Sequence, residues 1–348
     1  MVKAPAPKST RTIKAAVLLP DPGGWPVAWQ VFHPQVAGGI RKRLPTLFNI
    51  AAATYFPEFT FEFTEFIFEN FNTWPTDASQ YDLFLVTGAK EGAYDQHVPY
   101  VPVLEKYIGD NVNKTRFIGL SYGHQTIAWG LNPGGKNVIH NPHGWENAAV
   151  DVKVSREGMA ALRTSKTSYF VNNHHGDAVL TAPPGTVHVS SSGPTPVQSF
   201  ISDRVFTNEG HIEYSPGIME MWARWDTYHG LYSLESAKHY LATRTHLPCD
   251  NKLGFLPDAL WLAGKMVGWI GNSGVVPTDE ELSARKAQYG DAARVLVEYY
   301  EDALLNRAYA EAVARYGGAR RVAELKRLWD DYWSTGRKFS EEYFTEKN

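Results

Sequence analysis

Apolar positions along the chain follow two regimes. In the first half, short apolar runs alternate with stretches of helical length. Residues 12–19 (TIKAAVLL) form an apolar run closed by Pro20, which predicts a buried strand. A helix is expected near residues 39–54. Phe59–Ile67 (FTFEFTEFI) alternates aromatic with polar residues, the period of a strand with one covered face. Residues 81–87 (YDLFLVT), ending at Gly88, and 115–120 (TRFIGL) read as further strands, with a helix over 98–108 between them. Helix and strand in alternation argue for a parallel sheet covered on both faces. From 136 to 208, short strand-like runs are broken by NPHG, PPG and SSGPTP turns.

Beyond Pro216 the pattern turns helical. Thr278 and Glu281 have the spacing of a capping box. Val295, Leu296, Tyr299 and Ala303 recur at helical spacing, and Gly317-Gly318 would end that helix. Val322, Leu325, Trp329 and Tyr332 mark the apolar stripe of another. The expected organisation is a flexible leader over 1–11, an α/β domain over 12–220 and a helical extension over 221–348.

Composition narrows the function classes. The 348 residues are 43% hydrophobic and 20% charged, an ordinary globular balance. With 34 basic and 37 acidic side chains the formal charge is −3, so no electrostatic footprint for nucleic acid or an anionic membrane is present. The first residues (MVKAPAPKSTRTIK) contain no apolar h-region, so no secretory signal is expected. The best candidate span, residues 259–270, is too short and carries Lys265 and Gly268. A single cysteine, Cys249, excludes an intramolecular disulfide framework. A cytoplasmic protein acting on a small molecule, without nucleic acid or membrane as partner, is the expectation.

Candidate chemistry gathers in three segments. Gly119-Leu120-Ser121-Tyr122-Gly123-His124-Gln125 follows a predicted strand and opens a predicted helix. A Gly-x-Ser-x-Gly at such a turn is a nucleophile elbow, and the helix N-terminus supplies N–H groups for an oxyanion. His211-Ile212-Glu213 follows another strand. Side chains two apart on an extended segment point the same way, so Glu213 can orient His211, which can take the serine proton. Gly88 ends a third strand, where its N–H, with that of Tyr122, could form an oxyanion hole. His174 and His175 are adjacent on a predicted strand and face opposite sides, which argues against a metal site. Neither metal nor cofactor is expected.

An α/β-hydrolase would place its acid before its histidine. Here the histidine comes first and the acid two residues later. That order resembles the class I glutamine amidotransferase family, whose elbow is Gly-x-Cys-x-Gly-x-Gln and whose later motif is His-Pro-Glu. The matching residues are Gly119, Ser121, Gly123, Gln125, His211 and Glu213, with Gly144-Trp145-Glu146, His175-Gly-Asp177 and Pro184-Gly185 as secondary landmarks. The resemblance covers roughly residues 12–220 and implies a flavodoxin-like, open, mostly parallel sheet. It also implies that Gln125 lies near the substrate. Ser121 stands where the family has cysteine, and Ile212 where it has proline.

The serine changes the chemistry. A cysteine beside a helix N-terminus and a histidine can be held as thiolate, whereas a serine must lose its proton during attack. Three readings follow, beside that of an unrelated serine hydrolase or a coincidental match. Ser121, His211 and Glu213 can form a triad repurposed for hydrolysis, or a related acyl or lyase step, on a molecule other than glutamine. The chain can be a binding or regulatory protein that keeps the fold without turnover. Or it can be a glutaminase whose cysteine was exchanged for serine to trap a complex. No GxxxxGK[ST] phosphate loop follows to accept ammonia. Trp25 and Trp29, in the loop after the first strand, are expected to line a pocket for something larger and flatter than glutamine. The helical extension is expected to cover the site, shape a pocket or join copies into a homo-oligomer, with plain extra packing as the alternative.

Overall fold

The computed structural model describes residues 10–20, 39–132, 137–231, 233–244, 252–306, 310, 313–314 and 317–335. Trp25, Trp29 and Cys249 lie outside them.

Strand β1 (Arg11–Leu19) is the centre from which the sheet grows. Its inward residues alternate sides: Ile13, Ala15, Val17 and Leu19 enter one core, and Ala16 and Leu18 the other. Period-2 alternation with both faces apolar is what a central strand under two helical layers requires. Helix α1 (Gly39–Tyr55) leads to β2 (Phe59–Ile67), and β3 (Leu83–Val86) follows after two 3₁₀ turns. Helix α2 (Tyr100–Asn111), β4 (Arg116–Leu120) and α3 (Tyr122–Gly130) come next. Strands β5 (Val138–His140), β6 (Glu146–Val154), β7 (Ser168–His175), β8 (Asp177–Val179), β9 (Val187–Ser191), β10 (Ser199–Ile201) and β11 (Val205–Asn208) fill the middle, with α4 (Arg156–Leu162) after β6.

The main sheet runs β2-β1-β3-β4-β11-β10-β9-β6-β7. Its first five strands are parallel and in the 2-1-3-4-5 order of the flavodoxin-like fold. The other four pair antiparallel, with β10 and β11 joined by a short hairpin and β6 and β7 by the segment that carries α4. Val86, Gly119 and Thr207 are aligned across β3, β4 and β11, so the residues just beyond them converge on one carboxyl-end edge. Ligands bind at that edge of an open α/β sheet.

The remaining helices are α5 (Pro216–His229), α6 (Leu234–Arg244), α7 (Pro257–Gly271), α8 (Asp279–Glu301) and α9 (Ala319–Thr335). Thr278 and Glu281 make both bonds of the capping box in front of α8. Gly317 and Gly318 adopt φ of 78° and 117°, and the Gly318 N–H closes on the Val313 carbonyl, a helix stop that glycine permits. All four stripe residues of α9 are buried. On α8 the inward positions are instead Ala293, Val297 and Tyr300, while Val295 and Tyr299 face outward.

The helical part does not pack as one body. Apolar α7 lies in the same core as β1 and α1, with Trp269 edge-on to Phe206 of β11. Helices α5, α6 and α9 enclose a third core, with Trp329, Tyr228 and Met219 inside it. The boundary expected after residue 220 falls inside α5. No helix among the described residues is long and apolar enough to cross a membrane.

Candidate active site

Strand β4 ends at Leu120 and helix α3 begins at Tyr122, so one residue makes the turn. That residue, Ser121, has φ 54° and ψ −119°. A serine avoids this region at a cost on the order of 1–3 kcal/mol, and the surroundings must hold it there. A Cβ on Gly119 would lie 2.4 Å from the Gly123 carbonyl oxygen, and one on Gly123 would lie 2.0 Å from that of Val86. Glycine at both positions lets strand and helix close around the serine. The Ser121 N–H donates to Asn208 O at 3.0 Å, and the Ser121 carbonyl accepts from His124 and Gln125 at 2.8 and 3.1 Å.

His211 and Glu213 lie beyond the end of β11. The His211 Nδ1–H donates to Glu213 Oε1 at 2.8 Å, and both side chains are buried. That bond leaves Nε2 as the ring nitrogen able to accept a proton. The imidazole stacks on Tyr214, centroids 3.8 Å apart and 3° from parallel. The His211 backbone N–H donates to Asn172 O of β7, and the buried Arg43 donates from Nε to the Glu213 carbonyl at 3.1 Å. Backbone, ring face and carboxylate therefore all fix the imidazole.

Gly88 lies against both groups. A Cβ there would meet His211 Cε1 at 3.1 Å and Ser121 Oγ at 3.6 Å. Ser121, His211, Glu213 and Gly88 are thus brought together, although among the described residues no hydrogen bond joins the Ser121 hydroxyl to the ring. The N–H groups of Gly88 and Tyr122 have no described acceptor, as donors kept for a developing oxyanion would be. The Tyr122 side chain points away, packed edge-on to Phe68 and Tyr100.

Behind the elbow runs a buried polar chain. Gln125 is buried and donates from Nε2 to Glu209 Oε1 at 3.0 Å, which turns its amide nitrogen toward the protein interior. Burial pushes the Glu209 carboxyl up to about 7, with the His175 charge as the main opposing influence. Burial alone would lower His175, but the charge of Glu209 and the bond to Glu146 outweigh it and raise the ring to about 9. His175 Nε2 lies 3.1 Å from Glu146 Oε2, which also accepts from Ser192, Thr195 and Gln198. His124 is buried and pushed down to about 3, so it is neutral, with Nε2 on the Val197 carbonyl.

His174 leaves the strand on the other side. It stacks on Trp222 of α5 and reaches Asp226 at 3.0 Å. The two adjacent histidines therefore have separate partners. Among the described residues no group of three or more His, Cys, Asp or Glu is placed to hold a metal ion.

Sequence reasoning missed Glu209, Arg43 and Tyr214. For Glu209 there was a signal: an acid two residues before His211 at the end of an apolar strand has no solvent face to occupy. For Arg43 there was none, since its target is a carbonyl 170 residues away.

No protein-family profile matches the chain. A Schizosaccharomyces pombe protein described as glutamine amidotransferase-like is 25% identical over 191 residues, 53% of this chain and 74% of the relative. Among solved structures, the crystal structure of SMU.1228c superposes with a TM-score of 0.50 at 14% identity, over 75% of this chain and 99% of that one. That likeness is one of fold. A glutamine amido transferase from Methylobacillus flagellatus gives a TM-score of 0.49 at 16% identity, over 78% of this chain and 97% of its own.

Proposed function

From the premise that this chain is a glutamine amidotransferase-like protein, we propose that it is an enzyme whose nucleophile is Ser121. The single observation that carries this reading is the strained serine at a glycine-flanked elbow, with the bonded His211–Glu213 pair beside it. A serine held at φ 54° costs stability, and a hydroxyl presented at the head of a helix, in a buried site beside Gly88, is what that cost obtains. In the proposed reaction, His211 Nε2 takes the hydroxyl proton as Oγ attacks an electrophilic carbonyl carbon. Glu213 holds the imidazolium, and the N–H groups of Gly88 and Tyr122 stabilise the oxyanion. The same imidazolium then protonates the leaving group, and water repeats the sequence to release the acyl product.

The substrate class is a small organic ester, amide or related acyl compound, handled in the cytoplasm without cofactor. Glutamine is less suited, because the thiolate that its hydrolysis uses in the family is replaced by a hydroxyl that cannot be stored ionised. Two measurements test the reading. The full chain should be labelled by a fluorophosphonate at Ser121, and labelling should fall at least about 100-fold in His211→Ala. Ammonia release from glutamine should be absent in both the parent and Ser121→Cys. Release by Ser121→Cys alone would identify a disabled glutaminase. Failure of the fluorophosphonate to react would favour a binding protein instead.

A further inference from the structure

We propose that Gln125 and Glu209 are positioning residues whose buried hydrogen bond clamps the helix behind Ser121 to the segment that carries His211. The inference rests on the reading that Ser121 and His211 act together. Gln125 lies one turn into α3 and donates its backbone N–H to the Ser121 carbonyl. Glu209 precedes His211 by two residues, and its N–H donates to Gln198 O at 2.7 Å. Leu120 pairs with Asn208, and Ser121 and Glu209 are the residues that directly follow this last pair of the two strands. The main chains are tied there by Ser121 N–H to Asn208 O, and the side chains by Gln125 Nε2 to Glu209 Oε1 at 3.0 Å. The serine and the histidine thus hang from one bracket with two cross-ties.

A carboxylate with no solvent exposure costs several kcal/mol to bury. An apolar side chain would fill that space more cheaply, so the carboxylate needs a purpose. Its surroundings are arranged to retain a charge-accepting oxygen toward Gln125. His175 (from β7) supplies the compensating charge, while Asp177 (from β8) and Glu146 (from β6) act against it. His124 of α3 lies 3.7 Å from Oε2 and makes no hydrogen bond to it. Directional tension on the elbow therefore comes from Oε1. A displacement of about 1 Å between nucleophile and base can cost roughly 100-fold in rate.

The test uses the full chain and a fluorophosphonate as probe of Ser121. Gln125→Leu and Glu209→Leu should each lower the limiting labelling rate about 100-fold with little change in the probe concentration for half-saturation. The double variant should be no slower than either single one, because both remove the same bond. Glu209→Gln keeps an acceptor oxygen and should label within a few-fold of the parent. Folded Leu variants that label at the parental rate, or losses that multiply in the double variant, would overturn the clamp. If the Leu variants do not fold, the exchange carries the test: Gln125→Glu should label slowly, and adding Glu209→Gln should restore it. Absence of that rescue counts against the proposal. If the parent is not labelled, the nucleophile reading fails and hydrogen exchange judges the clamp separately. In Glu209→Gln against Gln125→Glu, joint loosening of residues 121–129 and 208–213 in the latter alone supports it, and equal protection overturns it.

Discussion

At the scale of single residues, the ion pair His175–Glu146 makes the sharpest pH argument. His175 is raised from 6.5 to about 9 in the folded chain: burial lowers it, and the charges of Glu209 and Glu146 overcome that. Because the folded value is the higher one, the stabilisation is fully present below pH 6.5 and is lost as pH rises through 9. Glu146 carries the opposite sign. Burial raises its carboxyl, but the bond and charge of His175 and the hydroxyls of Ser192 and Thr195 bring it below the usual 4.5. Its contribution is present above 4.5 and is lost as pH falls through the depressed value. Glu146→Gln should therefore cost on the order of 2 kcal/mol near pH 6.5 and much less at pH 9.5. Urea unfolding at the two pH values checks this, and a pH-independent loss would assign Glu146 a packing role only. At this scale the sequence was legible where chemistry and backbone coincide. The spacing of His211 and Glu213 encoded their contact, and the two glycines encoded the elbow. Gln125 was legible as a residue near the site but not in its orientation, since its partner Glu209 comes from a strand 84 positions away.

At the scale of elements, period was the reliable guide and exposure the unreliable one. Phe59–Ile67 alternates and is a strand with the expected bounds. Helix α8 shows the limit. Val295 and Tyr299 recur at helical spacing, yet the face that packs on the core carries Ala293, Val297 and Tyr300. Spacing selects a helix, but the choice between two apolar stripes is made by α1, against which α8 lies. Helix α7 shows the converse. Its near-continuous apolar content fits either a membrane or a core, and its 15 residues decide for the core. The single lysine within it is neutralised locally. Lys265 Nζ is fully buried, 2.8 Å from Asp279 Oδ1, and donates to the Pro277 carbonyl at 2.7 Å. Burial lowers the ammonium, and the Asp279 carboxylate works against that. Removing only the acid leaves a buried charge, whereas removing the cation leaves a partly exposed carboxylate. Asp279→Ala should cost about 3 kcal/mol and Lys265→Met less than about 1.5 kcal/mol, as read by thermal and urea unfolding. A larger loss for Lys265→Met would mean that its carbonyl contacts at Arg163 and Pro277 dominate over the ion pair.

At the scale of the whole molecule, the question is where one folding unit ends. Family length places a boundary near residue 220, but packing crosses it. Leu253, Phe255, Leu262, Met266 and Trp269 are buried in the same core as β1, β6 and β11. Phe255 also lies under the guanidinium of Arg43, 4.0 Å from ring centroid to carbon, and Arg43 holds the carbonyl of Glu213. Part of the chain beyond residue 220 thus covers one face of the sheet and supports the acid beside His211. The reason is architectural: a parallel sheet needs helices on both faces, and α1 alone covers only part of the face opposite α2 and α3. A chain ending at residue 220 would lack those side chains and uncover their partners, among them Tyr55, Phe56, Tyr169 and Phe206, at roughly 1.5–3 kcal/mol for each one left in water. Those four alone come to about 6–12 kcal/mol, comparable to the whole 5–15 kcal/mol by which domains are stable. The truncated chain should aggregate, or show near-native far-ultraviolet circular dichroism with no cooperative unfolding. A chain ending at 306 keeps α7 and α8 and loses, among the described helices, α9, which packs on α5 and α6. It should remain monodisperse on size-exclusion chromatography and unfold in at least one cooperative step. Cooperative unfolding of the 220-residue fragment would instead make the C-terminal part a separable extension, and its contacts with the sheet an interface between two independent units.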